Sequence, residues 1–150
     1  LNNKRLTYIY TLLAVLFLSS NYFGQNLSAN DSLKITHLKS KIAQHKRDSV
    51  ALISSYELIE LYHQANIIDS AIKYNKLSIE IAKETQNTEL MLNSYRWMAY
   101  LYTLKGKKNK VLDALQKQLK LTKKIGDQEK EVQVLNSLGT FYLTQKENKM

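Results

Sequence analysis

Three histidines, His37, His45 and His63, are the side chains of this chain best suited to metal binding or proton transfer. His37 and His45 stand eight residues apart, and no histidine pair flanks a glutamate at the spacing of a zinc protease helix. Cysteine is absent, which removes thiol nucleophiles, cysteine metal sites, a lipidated cysteine and any disulfide framework. No glycine-rich phosphate loop occurs, and serine, histidine and aspartate are scattered without a nucleophile elbow. Glu57 with Glu60 and Glu80 with Glu84 are carboxylate pairs at helical spacing, most simply solvated helix faces. These residues predict a noncatalytic chain without metal or cofactor.

Charge suggests a different chemistry. Eight lysines (Lys105, Lys107, Lys108, Lys110, Lys117, Lys120, Lys123 and Lys124) fall in one stretch against Asp113 alone. Such a density attracts phosphate without specificity. A basic patch at Lys105, Lys107, Lys108 and Lys110 could hold nucleic acid or anionic lipid; the plainer reading is a solvated helix face. If the chain is exported, nucleic acid is less available, and an acidic protein or an anionic membrane surface becomes the more sensible target.

The N-terminus bears on compartment. Lys4 and Arg5 precede the apolar run LTYIYTLLAVLFLSS (6–20), and the more polar NYFGQNLSAND follows, the order of a secretory signal. Residues 1–29 are therefore expected to be a signal peptide or, as the rival, a membrane anchor, since 6–23 approach the roughly 20 residues that cross a bilayer. An exported, periplasmic or outward-facing anchored location follows, with a cytoplasmic one as the alternative. Removing residues 1–29 takes away Lys4 and Arg5 and no acid, lowering the formal charge from +9 to +7. Leu1 rather than methionine opens the chain, which suits an unusual start or a truncation.

Past residue 30 the spacing becomes helical. Proline is absent and glycine occurs only four times, so long helices meet few breakers. DSLKITHLKSKIAQH (31–45) carries Leu33, Ile35, Leu38 and Ile42 behind Asp31 and Ser32, which can cap the first turn. Residues 30–47 form a leading helix on this reading. Sliding the remainder on itself gives a match at a 40-residue offset. Leu52, Leu92 and Val132 align, as do Leu58, Met98 and Leu138; Leu61, Leu101 and Phe141; and the identical column Tyr62, Tyr102 and Tyr142. Ile59, Ala99 and Gly139 occupy a position that shrinks along the chain, and Ala71, Ile72, Ile79 and Ile81 pair with Val111, Leu112, Leu119 and Leu121.

Punctuation follows the same period, which chance matches in a 44% hydrophobic chain would not produce. Asp69 and Asn109 can cap the helices that follow them; Asn87 and Gly126 suit the left-handed conformation that ends helices, and Asp127 can start the next. Helices are predicted near 48–65, 69–85, 88–105, 109–125 and 128–147, joined by loops short enough for antiparallel neighbours.

LGTFY (138–142), with MAYLY (98–102), LIELY (58–62) and DSAIKY (69–74), resembles the tetratricopeptide repeat family, in a long variant with repeats of roughly 40 residues. AKETQN (82–87) and TKKIGD (122–127) are similar to the ends of such repeats. The resemblance implies an all-α fold of antiparallel helix pairs stacked as a right-handed solenoid, over 48–87, 88–127 and an incomplete 128–150. It also implies a protein-binding scaffold, similar to the exported sensor regions of bacterial signalling proteins, and a convex outer face for Lys117, Lys120 and Lys124.

Stacked pairs create a concave groove lined mainly by first helices. Residues three and four apart share a face, so Ile53, Tyr56, Glu60 and His63 form one strip, Asn93, Arg96 and Tyr100 the next, and Gln133, Asn136 and Thr140 the third. Tyrosine and arginine are common anchors of protein recognition. The lysine and asparagine pair with which some family members clamp a peptide carboxylate is absent, since Tyr56 and Glu60 take the first-repeat positions. SLGTFYLTQKENKM (137–150) reads as the first helix of a third pair. The Leu135, Leu138, Phe141 and Tyr142 face of that helix predicts either a truncated chain or an edge completed by another molecule, such as a second copy.

Overall fold

The computed structural model describes residues 27–45 and 48–147, and the predicted signal or anchor segment lies almost wholly outside them. The described residues form six helices: α1 (Ala29–Gln44), α2 (Ser49–Gln64), α3 (Ile68–Glu84), α4 (Thr88–Leu104), α5 (Lys108–Ile125) and α6 (Gln128–Glu147). Each packs against its neighbours in the chain, and among the described residues no two non-consecutive helices bring their backbones together. No described helix is long and apolar enough to cross a membrane.

Four junctions share one geometry. Asn66, Gln86, Gly106 and Gly126 have φ between 52° and 72° and recur every twenty residues. At each, the residue that follows donates its N–H five residues back: Ile67 to Tyr62 O, Asn87 to Ala82 O, Lys107 to Tyr102 O and Asp127 to Thr122 O. This is the Schellman closure, which satisfies carbonyls that the helix end would otherwise leave open. Gln86 holds a conformation that costs a residue with a side chain roughly 1 to 2 kcal/mol. Asn87, expected to be left-handed, is instead the N-cap of α4, its side chain accepting from Leu90 N. Closing the turn one residue earlier frees Asn87 to start the next helix.

Capping is divided between the two kinds of helix. Asp48 accepts from Val50 N and Ala51 N at the start of α2, and Asp127 from Lys130 N at the start of α6. Those backbone bonds, with Ala51 the strongest at Asp48 and Lys130 at Asp127, hold both carboxyls below the usual aspartate range. α3 and α5 start without a side-chain cap, behind Ile67 and Lys107. Only one residue separates the left-handed position from each of these helices, so Asp69 and Asn109 fall inside the first turn rather than ahead of it. α1 is capped by Ser28, paired with Asp31 in a capping box, three residues ahead of the expected cap.

One apolar core runs from Ile35 and Leu38 on α1 to Val134 and Leu138 on α6. Leu33 lies on the far side of α1 from Ile35 and Ile42 and is exposed. A smaller cluster of Ala51, Leu52 and Ile81 closes the other end of the α2–α3 pair. Two repeat columns open toward their third member, while Leu138 stays buried like Leu58 and Met98. Tyr62 is 6% exposed and stacks on Tyr74 at 5.7 Å, whereas Tyr142 is 55% exposed, and Val132 is exposed where Leu52 and Leu92 are buried. Of the face expected to be uncovered on α6, Leu138 and Phe141 pack into the core while Leu135 and Tyr142 remain exposed.

Candidate functional site

α3 lies between α2 and α4, and α5 lies between α4 and α6, so each second helix floors a gap between two first helices. The two gaps are filled differently. In the α2–α4 gap, Tyr56 donates to Leu90 O at 2.8 Å and meets Ser94 Oγ at 2.6 Å. His63 Nε2 lies 2.9 Å from Tyr100 Oη, and the rings of His63, Trp97 and Tyr100 contact one another edge to face at centroid distances of 5.2 to 5.9 Å. Behind them Asn75, fully buried on α3, donates to Ser94 O at 2.9 Å. Burial, more than any neighbouring group, pushes the Tyr56 hydroxyl pKa up.

The α4–α6 gap is open, with a cleft of about 680 Å³. Ala99, Val111, Leu115, Val134 and Phe141 supply its apolar lining, and Tyr100, Thr103, Gln118, Gln133, Ser137 and Thr140 its neutral polar groups. Among the described residues Arg96 and Lys108 are the charged ones lining it, and no carboxylate does. The residues that fill the first gap explain the second. Shifted by one repeat, His63, Trp97 and Tyr100 become Thr103, Ser137 and Thr140. Three rings are replaced by small hydroxylated side chains, and the volume they would occupy is left as the cleft.

Lys130 ties one end of this gap. Its Nζ lies 2.9 Å from Glu89 Oε2 on the first turn of α4 and 2.9 Å from Asp127 Oδ2. These bonds, Glu89 first, push the Lys130 ammonium pKa up to about 12. Gly106, Lys108 and Thr144 line the cleft toward the other end.

Of the groove residues expected from the sequence, Arg96, Tyr100, Gln133 and Thr140 meet in the cleft. Asn93 supports them by accepting from Arg96 Nη2 at 2.6 Å. Tyr56 and His63 belong to the filled gap, where they tie α2 to α4. Glu60 and Asn136 are exposed and line no part of the cleft. In the basic patch Lys105 is bound to Asp69 at 2.9 Å, Lys107 and Lys110 are exposed beside a shallow hollow, and Lys108 alone reaches the cleft as well. Among the described residues no three His, Asp or Glu side chains gather as a metal site requires.

Sequence reasoning missed the contribution of α5, through Val111, Leu115 and Gln118, and the packing role of Trp97. The signal was present in the offset itself, since Trp97 and Tyr100 stand in register with Ser137 and Thr140 one repeat later. No protein-family model matches this chain, and no curated protein matches it.

Proposed function

We propose that the chain is a noncatalytic scaffold that binds a protein segment in the α4–α6 cleft. The observation that carries this reading is an open gap whose counterpart one repeat earlier is packed shut by three aromatic rings. Consecutive-only packing and the shared junctions support a stack of helix pairs of the tetratricopeptide kind, wound as a right-handed solenoid. The cleft combines an apolar floor with two cations and no acid, which suits an extended acidic segment carrying one apolar or aromatic anchor.

Copying the filled gap into the open one tests this directly. Ser137→Trp with Thr140→Tyr is expected to cut binding to an array of acidic, single-anchor peptides by at least roughly tenfold, with helix content unchanged by circular dichroism. Arg96→Ala is expected to weaken the same peptides and to flatten their salt dependence. Peptides that bind the filled variant as well as the native chain would sink the assignment.

The charged, apolar, polar order of residues 4–31 supports an exported or outward-facing scaffold. Fractionation of cells making the full chain is expected to find it outside the cytoplasm; recovery solely in the cytoplasm with residues 6–20 intact rejects export.

A further inference from the structure

The aliphatic hydroxyls of the cleft share one bonding state. Thr103 donates to Ala99 O on α4, and Ser137, Thr140 and Thr144 donate to Gln133 O, Asn136 O and Phe141 O on α6, all at 2.8 to 3.0 Å. A hydroxyl has one proton and two lone pairs, so each of these oxygens lines the cleft with its proton spent and lone pairs open. Such walls accept hydrogen bonds, and the segment that fills the cleft has to bring a donor.

The filled gap shows how this fold uses a hydroxyl of that kind. Ser94 spends its proton on Leu90 O at 2.9 Å, and the Tyr56 phenol rests on both atoms, 2.6 Å from Ser94 Oγ and 2.8 Å from Leu90 O. A backbone carbonyl and the hydroxyl four residues on thus make a two-oxygen seat for one O–H. Ser137 with Gln133 O and Thr140 with Asn136 O repeat that spacing on α6. No phenol reaches them by the same route, because Arg96 stands one repeat after Tyr56 and its guanidinium is held by Asn93.

Rings already border the space on both walls. Tyr100 on α4 and Phe141 on α6 line the cleft above its aliphatic floor. In the filled gap, rings meet edge to face at 5.2 to 5.9 Å, and a ring entering the cleft finds aromatic neighbours of the same kind. An aliphatic anchor covers the floor but leaves the desolvated hydroxyl oxygens without a donor. Arg96 and Lys108, with no carboxylate among the described lining residues, suit acids on either side of the ring.

We infer, resting on the assignment of the cleft to a protein segment, that the anchor of that segment is a tyrosine. Its ring lies between Tyr100 and Phe141, and its O–H is donated to the hydroxyl row of Ser137 and Thr140. The partner is then an acidic segment read through a phenol, in the way α4 reads Tyr56 from within the chain.

Synthetic acidic peptides that differ only in the anchor test this on the full chain by fluorescence anisotropy. Tyrosine is expected to bind roughly fivefold more tightly than phenylalanine, and phenylalanine roughly threefold more tightly than leucine. O-methyltyrosine, which keeps the ring and the oxygen but has no proton to donate, is expected to bind no better than phenylalanine. Ser137→Ala with Thr140→Val is expected to erase the advantage of tyrosine while the phenylalanine peptide binds at least as tightly as before, which also reports a folded variant. A leucine, phenylalanine, tryptophan or O-methyltyrosine anchor that equals tyrosine on the native chain overturns the inference, and so does a tyrosine advantage that survives in the hydroxyl variant. If binding is still lost in Ser137→Trp with Thr140→Tyr, those results remove the phenol alone and leave the cleft standing. Peptides indifferent to that filled variant remove the cleft and its anchor together.

Discussion

Leu58→Ala is expected to destabilise the chain by about 2 to 5 kcal/mol, with Met98→Ala next and Leu138→Ala least. The three residues share one column of the repeat but not one environment. Leu58 is fully buried on α2, which has α1 on one side and α3 on the other; Leu138, 9% exposed on α6, has α5 beside it and no second neighbour among the described helices. A side chain enclosed from both sides leaves a cavity that little can relax to fill, whereas the outer face of α6 has freedom to settle. In a stack stabilised by nearest-neighbour interfaces, an interior deletion weakens two interfaces and a terminal one weakens a single interface. Urea unfolding followed by circular dichroism measures the series. Equal losses at the three positions, or the largest loss at Leu138, contradict a packing gradient along the chain.

Tyr56→Ala is expected to cost about 2 to 3 kcal/mol, and Tyr56→Phe about 1 kcal/mol. The ring is half-buried between α2 and α4, and its hydroxyl ties the two helices through Leu90 O and Ser94 Oγ. Ser94 also donates to Leu90 O, and its carbonyl receives Asn75, so removing the phenol disturbs a connected polar group rather than one bond. Peptide binding in the cleft is expected to survive Tyr56→Phe, because the cleft lies one gap away. Thermal melts and peptide titrations on the same variant separate the two roles: selective loss of binding with native stability would return Tyr56 to the recognition surface.

These expectations depend on how much of the molecule local sequence can specify. The five helices after the leading one were legible to within a residue because apolar periodicity and backbone termination act over a few residues. Asp48, Asn87 and Asp127 start first helices at nearly equal spacing, and the left-handed positions 66, 86, 106 and 126 divide the repeat in half. The caps assigned to Asp69 and Asn109 failed because candidate capping residues are equally at home in a first turn. Asp69 sits there, where it takes the Lys105 ammonium at 2.9 Å. Composition could not tell the two positions apart.

By itself the sequence determined the helices of the described residues, their repeat register and the absence of thiol chemistry, since each depends on residue type and short-range spacing. Only the tertiary structure decided that Tyr56 and His63 tie α2 to α4 while Arg96, Tyr100, Gln133 and Thr140 border open space. Those outcomes depend on contacts between α2 and α4 or between α4 and α6, one full repeat apart in the chain, across a gap floored by a third helix. The loss of aromatic volume at Ser137 and Thr140 was written in the residues. That it opens a cleft follows only once α4 and α6 stand on either side of α5.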